Sequence, residues 1–177
     1  GDCYFYDRDF RNAELIYTRS ANLSPNTGDY ALFQSGYVAG LQKKYSTKIS
    51  RLNDLVKNYP KSEFADDALY EIGRAYIMLG NDAEALNAYR RLLSLLPNSN
   101  MARSAAYEIG MIYQNQEKYP EAIKAYKAVI ADYPGSVEAF TALQSLEGIY
   151  IEMNDVPAYL AYVNSLDMKS SRISVSH

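Results

Sequence analysis

Groups that carry much of enzyme chemistry are scarce in this sequence of 177 residues. It contains a single cysteine, Cys3, a single histidine, His177, and no tryptophan. One cysteine cannot form a disulfide within the chain, so cysteine content does not indicate a compartment. Cys3 and His177 lie at opposite ends, and no further histidine or cysteine could complete a zinc site or a Cys–His pair. Catalysis is therefore disfavoured, and no cofactor or metal is predicted.

Positive charge and long apolar runs are also lacking. Lys and Arg number 18 against 21 Asp and Glu, which gives a formal net charge of −3. No basic stripe is present to neutralise phosphates, so binding to nucleic acid is not predicted. No apolar run reaches the roughly 20 residues that a transmembrane helix needs. A glycine-rich phosphate loop is missing as well.

What the sequence does contain is 18 tyrosines and a repeated spacing. Apolar or small residues from Leu69 to Tyr76 are spaced i, i+3, i+4 and i+7, which predicts one face of a helix. The spacing recurs with a period of 37 residues, and self-similarity at a fixed period of this size is typical of a repeat array. The set Leu69, Ile72, Gly73, Tyr76, Ala85, Tyr89, Leu92 and Pro97 returns 37 residues later as Ala106, Ile109, Gly110, Tyr113, Ala122, Tyr126, Val129 and Pro134, and returns more weakly 37 residues earlier as Leu32, Ser35, Gly36, Ala39, Lys48, Leu52, Leu55 and Pro60.

The period divides the chain into predicted pairs of antiparallel helices within one solenoid that covers residues 1–177. In each pair a short turn joins the helices, as at Gly80-Asn81-Asp82. The predicted divisions are a partial repeat at 1–25, full repeats at 29–62, 66–99 and 103–136, a degenerate fourth repeat at 140–170, and a tail or linker at 171–177.

Two departures from helix-forming sequence have predicted explanations. The mid-helix glycine that recurs as Gly36, Gly73 and Gly110 costs roughly 1 kcal/mol against alanine, which suggests close approach of the paired helix backbone. Lys48 and Arg51 stand where the next repeat has alanines. Their stems are expected to lie on apolar surface with the charges in water, which gives a looser layer.

The repeated residues resemble the tetratricopeptide repeat family, whose pattern is a large residue, Leu-Gly, Tyr, Ala, an aromatic residue and Pro. The resemblance implies an all-α, right-handed superhelical solenoid of antiparallel helix pairs. The period is 37 rather than about 34, with the extra residues between the proline and the next glycine. The Tyr-Pro-x-Ser endings at Tyr59 and Tyr133 resemble tetratricopeptide proteins of bacterial cell envelopes, such as outer-membrane assembly lipoproteins and coordinators of envelope constriction. That likeness implies a periplasmic or envelope-associated site, with the cytoplasm as the alternative.

The family resemblance also implies where a partner binds, because the first helix of each repeat lines the inner surface. Beside the core face of these helices runs a tyrosine-rich stripe, and aromatic and Arg side chains are favoured interface anchors. Glu71 and Glu108 beside it disfavour a clamp for a C-terminal carboxylate, so an extended peptide or a helix suits the stripe better. The predicted partner-binding residues are Tyr30, Phe33, Tyr37, Tyr70, Arg74, Tyr107, Met111 and Gln114.

Function is therefore predicted as a non-catalytic protein–protein interaction scaffold, with other readings left open. Each of the predicted rings has packing between repeats as its alternative role. A second reading is a spacer or self-assembly module, with a homodimer formed through the terminal repeats and Tyr159 or Tyr162. An RNA-binding helical repeat is the third and weakest reading, because the inner helices carry Tyr, Asp and Glu instead of basic residues.

Overall fold

The protein is described by a computed structural model, which covers the backbone of residues 28–175 and the side chains of residues 28–169. The predictions for the partial repeat at 1–25, for Cys3 and for His177 lie outside the described residues. Within 28–175 the chain forms helices and no strands, which confirms the all-α fold class. The helices are α1 Gly28–Leu41, α2 Tyr45–Asn58, α3 Ala65–Met78, α4 Asp82–Leu95, α5 Asn100–Asn115, α6 Tyr119–Asp132, α7 Val137–Glu152 and α8 Val156–Val175.

The chain divides into two compact units, of which the first ends at Ala105 and the second begins at Ala106. In the first unit α1 packs on α2, α2 on α3, and α3 on α4. In the second unit α6 packs on α7, and α7 on α8. Each of these helices thus contacts its neighbours in sequence, which is the packing that a helical repeat requires.

The core of each inner repeat is built around one buried tyrosine. Tyr89 and Tyr126 are fully buried, and each ring lies against the glycine of the preceding helix. A Cβ atom at Gly73 would lie 2.3 Å from Tyr89 Cε1, and one at Gly110 would lie 2.5 Å from Tyr126 Cε1. The expectation of a close backbone approach is therefore wrong at these two positions. The glycines make room for aromatic rings instead.

The turn within each helix pair places one residue in the left-handed region of backbone space. This residue is Gly80 in the second repeat, with a φ of 74°. The equivalent residues are Lys43, Glu117 and Asn154, with φ values of 59°, 58° and 55°. Asparagine tolerates this region, whereas lysine and glutamate disfavour it, so the backbone conformation is locally unfavourable at Lys43 and Glu117.

The link between repeats is closed by a serine that bonds back to the preceding repeat. Ser99 Oγ donates to Asp66 Oδ2 at 2.6 Å and accepts the backbone N–H of Met101 at 3.1 Å. The same bond recurs 37 residues earlier, where Ser62 Oγ donates to Asp29 Oδ2 at 2.6 Å. The serine two residues after the repeat's proline, at Ser62 and Ser99, therefore joins the start of one repeat to the start of the next.

The third repeat keeps the serine but has no aspartate to receive it. The residue that corresponds to Asp66 in sequence is Arg103. Ser136 Oγ instead donates to the carbonyl of Tyr133 at 2.6 Å and accepts the backbone N–H of Ala139 at 3.0 Å. It thus remains the N-cap of α7, the role in which serine is strongly preferred.

The last helix, α8, reaches beyond the predicted fourth repeat. It continues to Val175, so the segment predicted as a tail at 171–177 begins inside a helix. After Pro157 the chain contains no proline or glycine to end the helix.

Candidate partner-binding site

The predicted stripe on α1 is formed by Tyr30, Phe33 and Tyr37, spaced along one helix face. Tyr30 and Tyr37 are each 47% exposed, whereas Phe33 is half-buried. The ring of Phe64, just before α3, stacks on Phe33 at a centroid distance of 5.5 Å and tilts against Tyr30 at 5.5 Å. Phe64 was not among the predicted site residues. Its one signal in the sequence is a large apolar side chain directly before a helix start.

The corresponding stripe on α3 contains Tyr70 and Arg74. The half-buried ring of Tyr70 packs on the ring of Tyr89 at a centroid distance of 5.9 Å. The Arg74 guanidinium lies 6.0 Å from the Tyr70 centroid, and its Nη1 donates to Glu71 Oε1 at 3.3 Å. Near the start of the stripe, burial and then the charges of Asp66 and Glu71 raise the pKa of the Asp67 carboxyl.

Tyr37 and Arg74 meet at one cavity in the first unit. The cavity has a volume of about 230 Å³ and lies among residues of α1, α2 and α3. Two of the predicted residues thus come together, and the cavity adds residues that were not predicted as site residues. Its walls include Tyr37, Gly40, Tyr45, Lys48, Glu71 and Arg74.

Lys48 is buried at this cavity, which corrects the expectation that its charge lies in water. The residue is only 8% exposed, and its Nζ lies 2.6 Å from Glu71 Oε2 in an ion pair between the first and second repeats. Its stem passes Gly40, where a Cβ atom would lie 2.8 Å from Lys48 Cδ. The signal in the sequence was a lysine at the position that Ala85 and Ala122 occupy in later repeats.

Arg51, the second unexpected cation of α2, also bonds within the layer. Its Nη1 donates to Ser35 Oγ at 2.8 Å, and Ser35 is fully buried. Ser35 stands where the later repeats have Ile72 and Ile109. The serine and the arginine thus replace an apolar pair, so this layer is hydrogen-bonded across its helices and is not simply looser.

In the second unit the predicted residues are held around Tyr126. The Tyr107 ring packs on Tyr126 at 5.5 Å, and its hydroxyl lies 3.3 Å from Ser145 Oγ. Gln114 Oε1 accepts a hydrogen bond from the Tyr126 hydroxyl at 2.7 Å. Burial, with Tyr107 adding to it, raises the pKa of Tyr126 to about 12. Met111 is 39% exposed, so it is the most accessible of the three predicted residues here.

A separate apolar cavity in the second unit was not predicted. It has a volume of about 450 Å³ and is lined by Val137, Phe140 and other residues of α6 and α7. Phe140 is 68% exposed and stands where the earlier repeats have Asp29, Asp66 and Arg103. The signal available in the sequence was this change from a charged to an aromatic residue.

No group of three or more His, Cys, Asp or Glu side chains in the described part of the chain could hold a metal ion. None of the helices within 28–175 is long and apolar enough to cross a membrane.

Comparisons with solved structures show where this arrangement of helices is found. A crystal structure of MamA aligns with a TM-score of 0.67 and 23% identity over 98% of this chain and 96% of that chain. YrrB, described as a TPR protein with an unusual peptide-binding site, aligns with a TM-score of 0.60 and 18% identity over 92% of this chain and 79% of that chain. At these identities the likeness shows the fold. A search of curated proteins gave no match.

Family models describe the repeats directly. Tetratricopeptide repeat models match residues 30–62, 66–99 and 104–136, which together make up more than half of the sequence. The matched segments contain the glycine–tyrosine pairs and the helix pairs described above. The chain therefore belongs to the tetratricopeptide repeat family.

Proposed function

We propose that this chain is a non-catalytic protein-interaction scaffold that binds a peptide or helix of a protein partner. Proteins of the tetratricopeptide family are generally scaffolds of this kind. The observation that carries the proposal is the convergence of Tyr37 and Arg74 on one cavity beside exposed aromatic side chains. Exposed aromatic residues and arginine are the side chains that most often anchor a protein partner.

The predicted residues divide by their exposure into anchors and supports. Tyr30 and Tyr37, each 47% exposed, present the most ring surface to a partner in the first unit. Phe33 and Tyr70 pack on Phe64 and Tyr89, so they hold the surface in place. Met111 is the exposed anchor of the second unit, where Tyr107 and Gln114 serve as supports.

The direct test is capture of a partner by the parent protein and by a Tyr30→Ser/Tyr37→Ser variant. Bound proteins from envelope and cytosolic extracts are identified, the bound segment is mapped, and its affinity is measured by calorimetry. We expect the double variant to bind about 30- to 1,000-fold more weakly, since two anchor residues at about 1–2 kcal/mol each together contribute about 2–4 kcal/mol. Leu95→Ser is the matched control, because Leu95 is 57% exposed on α4 and lies off the stripe.

The proposal fails if the double variant binds the mapped segment as well as the parent does, or if Leu95→Ser weakens binding equally. It also fails if no protein is captured under conditions in which the parent is folded. The compartment is part of the same proposal. We propose a periplasmic or envelope-associated location, supported by the resemblance of the Tyr-Pro-x-Ser endings, and fractionation of cells with an antibody to the chain tests it.

Self-assembly remains the second candidate, and exposed apolar side chains in the second unit favour it. Leu160 on α8 is 54% exposed, while the equivalent residues Ile49 and Leu86 are 7% and 8% exposed. Tyr159 packs on Tyr150, and the Tyr162 ring lies 4.7 Å from Lys127 Nζ, so a homodimer contact would centre on Leu160. Light scattering over a concentration series tests this, and a monomer at the highest concentration excludes it.

A further inference from the structure

We infer that the cavity between Tyr37 and Arg74 receives a side-chain carboxylate, from aspartate or glutamate, of the bound partner. The inference rests on the proposed scaffold function and specifies the chemistry of its partner. The charges, burial and spacing of the cavity walls indicate this occupant. The cavity lies at the junction between the first and second repeats.

The cavity walls carry an excess of positive charge on an otherwise acidic protein. Lys48 and Arg74 contribute two positive charges, and Glu71 contributes one negative charge. Tyr37 and Tyr45, whose side chains each carry a neutral hydroxyl group, also line the cavity. The net charge of the whole chain is −3, so the preference for an anion comes from this local excess of positive charge.

The two cations differ in how firmly Glu71 holds them. Lys48 Nζ lies 2.6 Å from Glu71 Oε2, and the Lys48 side chain is only 10% exposed. Arg74 Nη1 lies 3.3 Å from Glu71 Oε1, and the Arg74 side chain is 57% exposed. Lys48 therefore neutralises Glu71 from inside the layer, while the arginine faces the solvent side of the pair.

Because Lys48 pairs with Glu71, Arg74 can bind a partner without leaving the Glu71 carboxylate unpaired. A guanidinium that turns from Glu71 to an incoming carboxylate forms a bidentate, charge-assisted pair, for which arginine is well suited. Glu71 keeps its 2.6 Å bond to Lys48 during that exchange. Glu71, which on sequence grounds disfavoured a clamp for a C-terminal carboxylate, is thus already compensated by Lys48.

Two linked substitutions create the cavity, which distinguishes it from an ordinary gap between repeats. Gly40 replaces the larger Ile77 and Gln114 of the later repeats, and Lys48 replaces Ala85 and Ala122. The missing side chain at Gly40 is what admits the lysine stem, since a Cβ atom there would lie 2.8 Å from Lys48 Cδ. The buried cation and the space for it therefore occur together in the first repeat.

The test is an NMR titration of the isotope-labelled chain with three small probes. N-acetyl-glutamic acid α-amide carries a side-chain carboxylate, N-acetyl-glutamine α-amide is its neutral isostere, and N-acetyl-alanine carries a C-terminal carboxylate. We expect the first probe alone to shift the Gly40 amide and the Arg74 side-chain N–H in a saturable way. Arg74→Gln should weaken it about tenfold or more, as expected for loss of a charged hydrogen bond.

Two further variants separate this site from general charge effects. Glu71→Gln removes the competing carboxylate and leaves the buried Lys48 charge without its partner. In the folded variant the glutamic acid probe should therefore bind several-fold more tightly, and unchanged or weaker binding would contradict the exchange. Arg90→Gln, an exposed arginine on α4, is the matched control and should leave the affinity unchanged.

Three results would overturn the inference. These are equal binding of the glutamine probe, no saturable shift with the glutamic acid probe, or the same loss in Arg90→Gln as in Arg74→Gln. Binding of N-acetyl-alanine alone would assign the cavity to a chain terminus and reject the side-chain occupant. If the titration fails but the Tyr30→Ser/Tyr37→Ser variant still captures its partner more weakly than the parent does, only this inference is rejected. If that double variant captures the partner as well as the parent does, the proposed scaffold surface is rejected.

Discussion

Each inner repeat pairs a missing side chain on one helix with a large ring on the next. Gly73 faces the fully buried ring of Tyr89, and the third repeat keeps the same pair. In the fourth repeat the glycine becomes Glu147 and the ring position becomes Val163, so both members change together. The helix tolerates glycine here because the ring fills the space that a methyl group would take.

Gly73→Ala should therefore lower the free energy of unfolding, although alanine favours the helix. The new Cβ would lie 2.3 Å from the Tyr89 ring, and overpacking of this kind costs about 1–3 kcal/mol. The urea midpoint measures the loss. In the double variant Gly73→Ala/Tyr89→Val, the loss of stability should be smaller than the sum of the losses in the two single variants. The reason is that valine at position 89 leaves room for the methyl group of alanine at position 73.

Gly148→Ala is the control for this substitution. Gly148 lies within α7 with no atom near its Cβ position, so alanine should raise stability by about 0.5–1 kcal/mol. Equal effects at Gly73 and Gly148 would contradict the role assigned to the Tyr89 ring.

At the turn residues with positive φ, replacement of a side chain by glycine should stabilise the protein. Glu117 is exposed and has a φ of 58° in the turn before α6. Glu117→Gly should raise the free energy of unfolding by about 1 kcal/mol, because glycine adopts this conformation without steric cost. Thermal unfolding measures the change. Gly80→Ala, at the equivalent position with a φ of 74°, should lower stability, and a gain there would refute the argument.

At the scale of the helix pair, the linker serine couples one repeat to the next. Ser99 both caps α5 and bonds to Asp66 at the start of α3, so one hydroxyl serves two helices. The residues that extend the link place a serine where it can reach the preceding repeat.

Removing this hydroxyl should destabilise the first unit. Ser99→Ala is expected to lower the free energy of unfolding by about 1–2 kcal/mol, from the lost cap and the lost bond to Asp66. Chemical denaturation measures the loss, and Ser50→Ala at an exposed site within α2 should change little. The same substitution is then made in an Asp66→Ala background. If Ser99→Ala lowers the free energy of unfolding there by as much as in the parent, the bond between Ser99 and Asp66 contributes nothing to stability.

For the molecule as a whole, the sequence predicted the fold better than the candidate site. The i, i+3, i+4, i+7 spacing recurs with a period of 37 along the chain. Substitutions in one repeat, such as Glu147 in the fourth, therefore leave the pattern recognisable in the others. The Lys48–Glu71 pair occurs once and joins residues 23 positions apart in different helices. Nothing local in the sequence distinguishes a buried lysine from a solvated one, so its charge was wrongly expected in water.

The tyrosine-rich composition leads to a prediction about stability at high pH. The pKa of Tyr126 is raised from 10.0 to about 12 in the folded chain, chiefly by burial, and its hydroxyl donates to Gln114. Below pH 10 the phenol is protonated in both folded and unfolded chains, so its contribution to stability is fully present. Between pH 10 and 12 the unfolded chain loses this proton first, so stability should fall as pH rises.

Tyr126→Phe isolates that contribution from the other tyrosines. At neutral pH the variant should be about 1 kcal/mol less stable, because the hydrogen bond to Gln114 is lost while the ring still fills its space. The difference should shrink between pH 10 and 12, since phenylalanine has no proton to lose. Urea unfolding across this range measures both curves, and Tyr30→Phe, at a ring that is 47% exposed, should track the parent. If the Tyr126→Phe and parent curves stay parallel, the buried phenol does not govern alkaline unfolding.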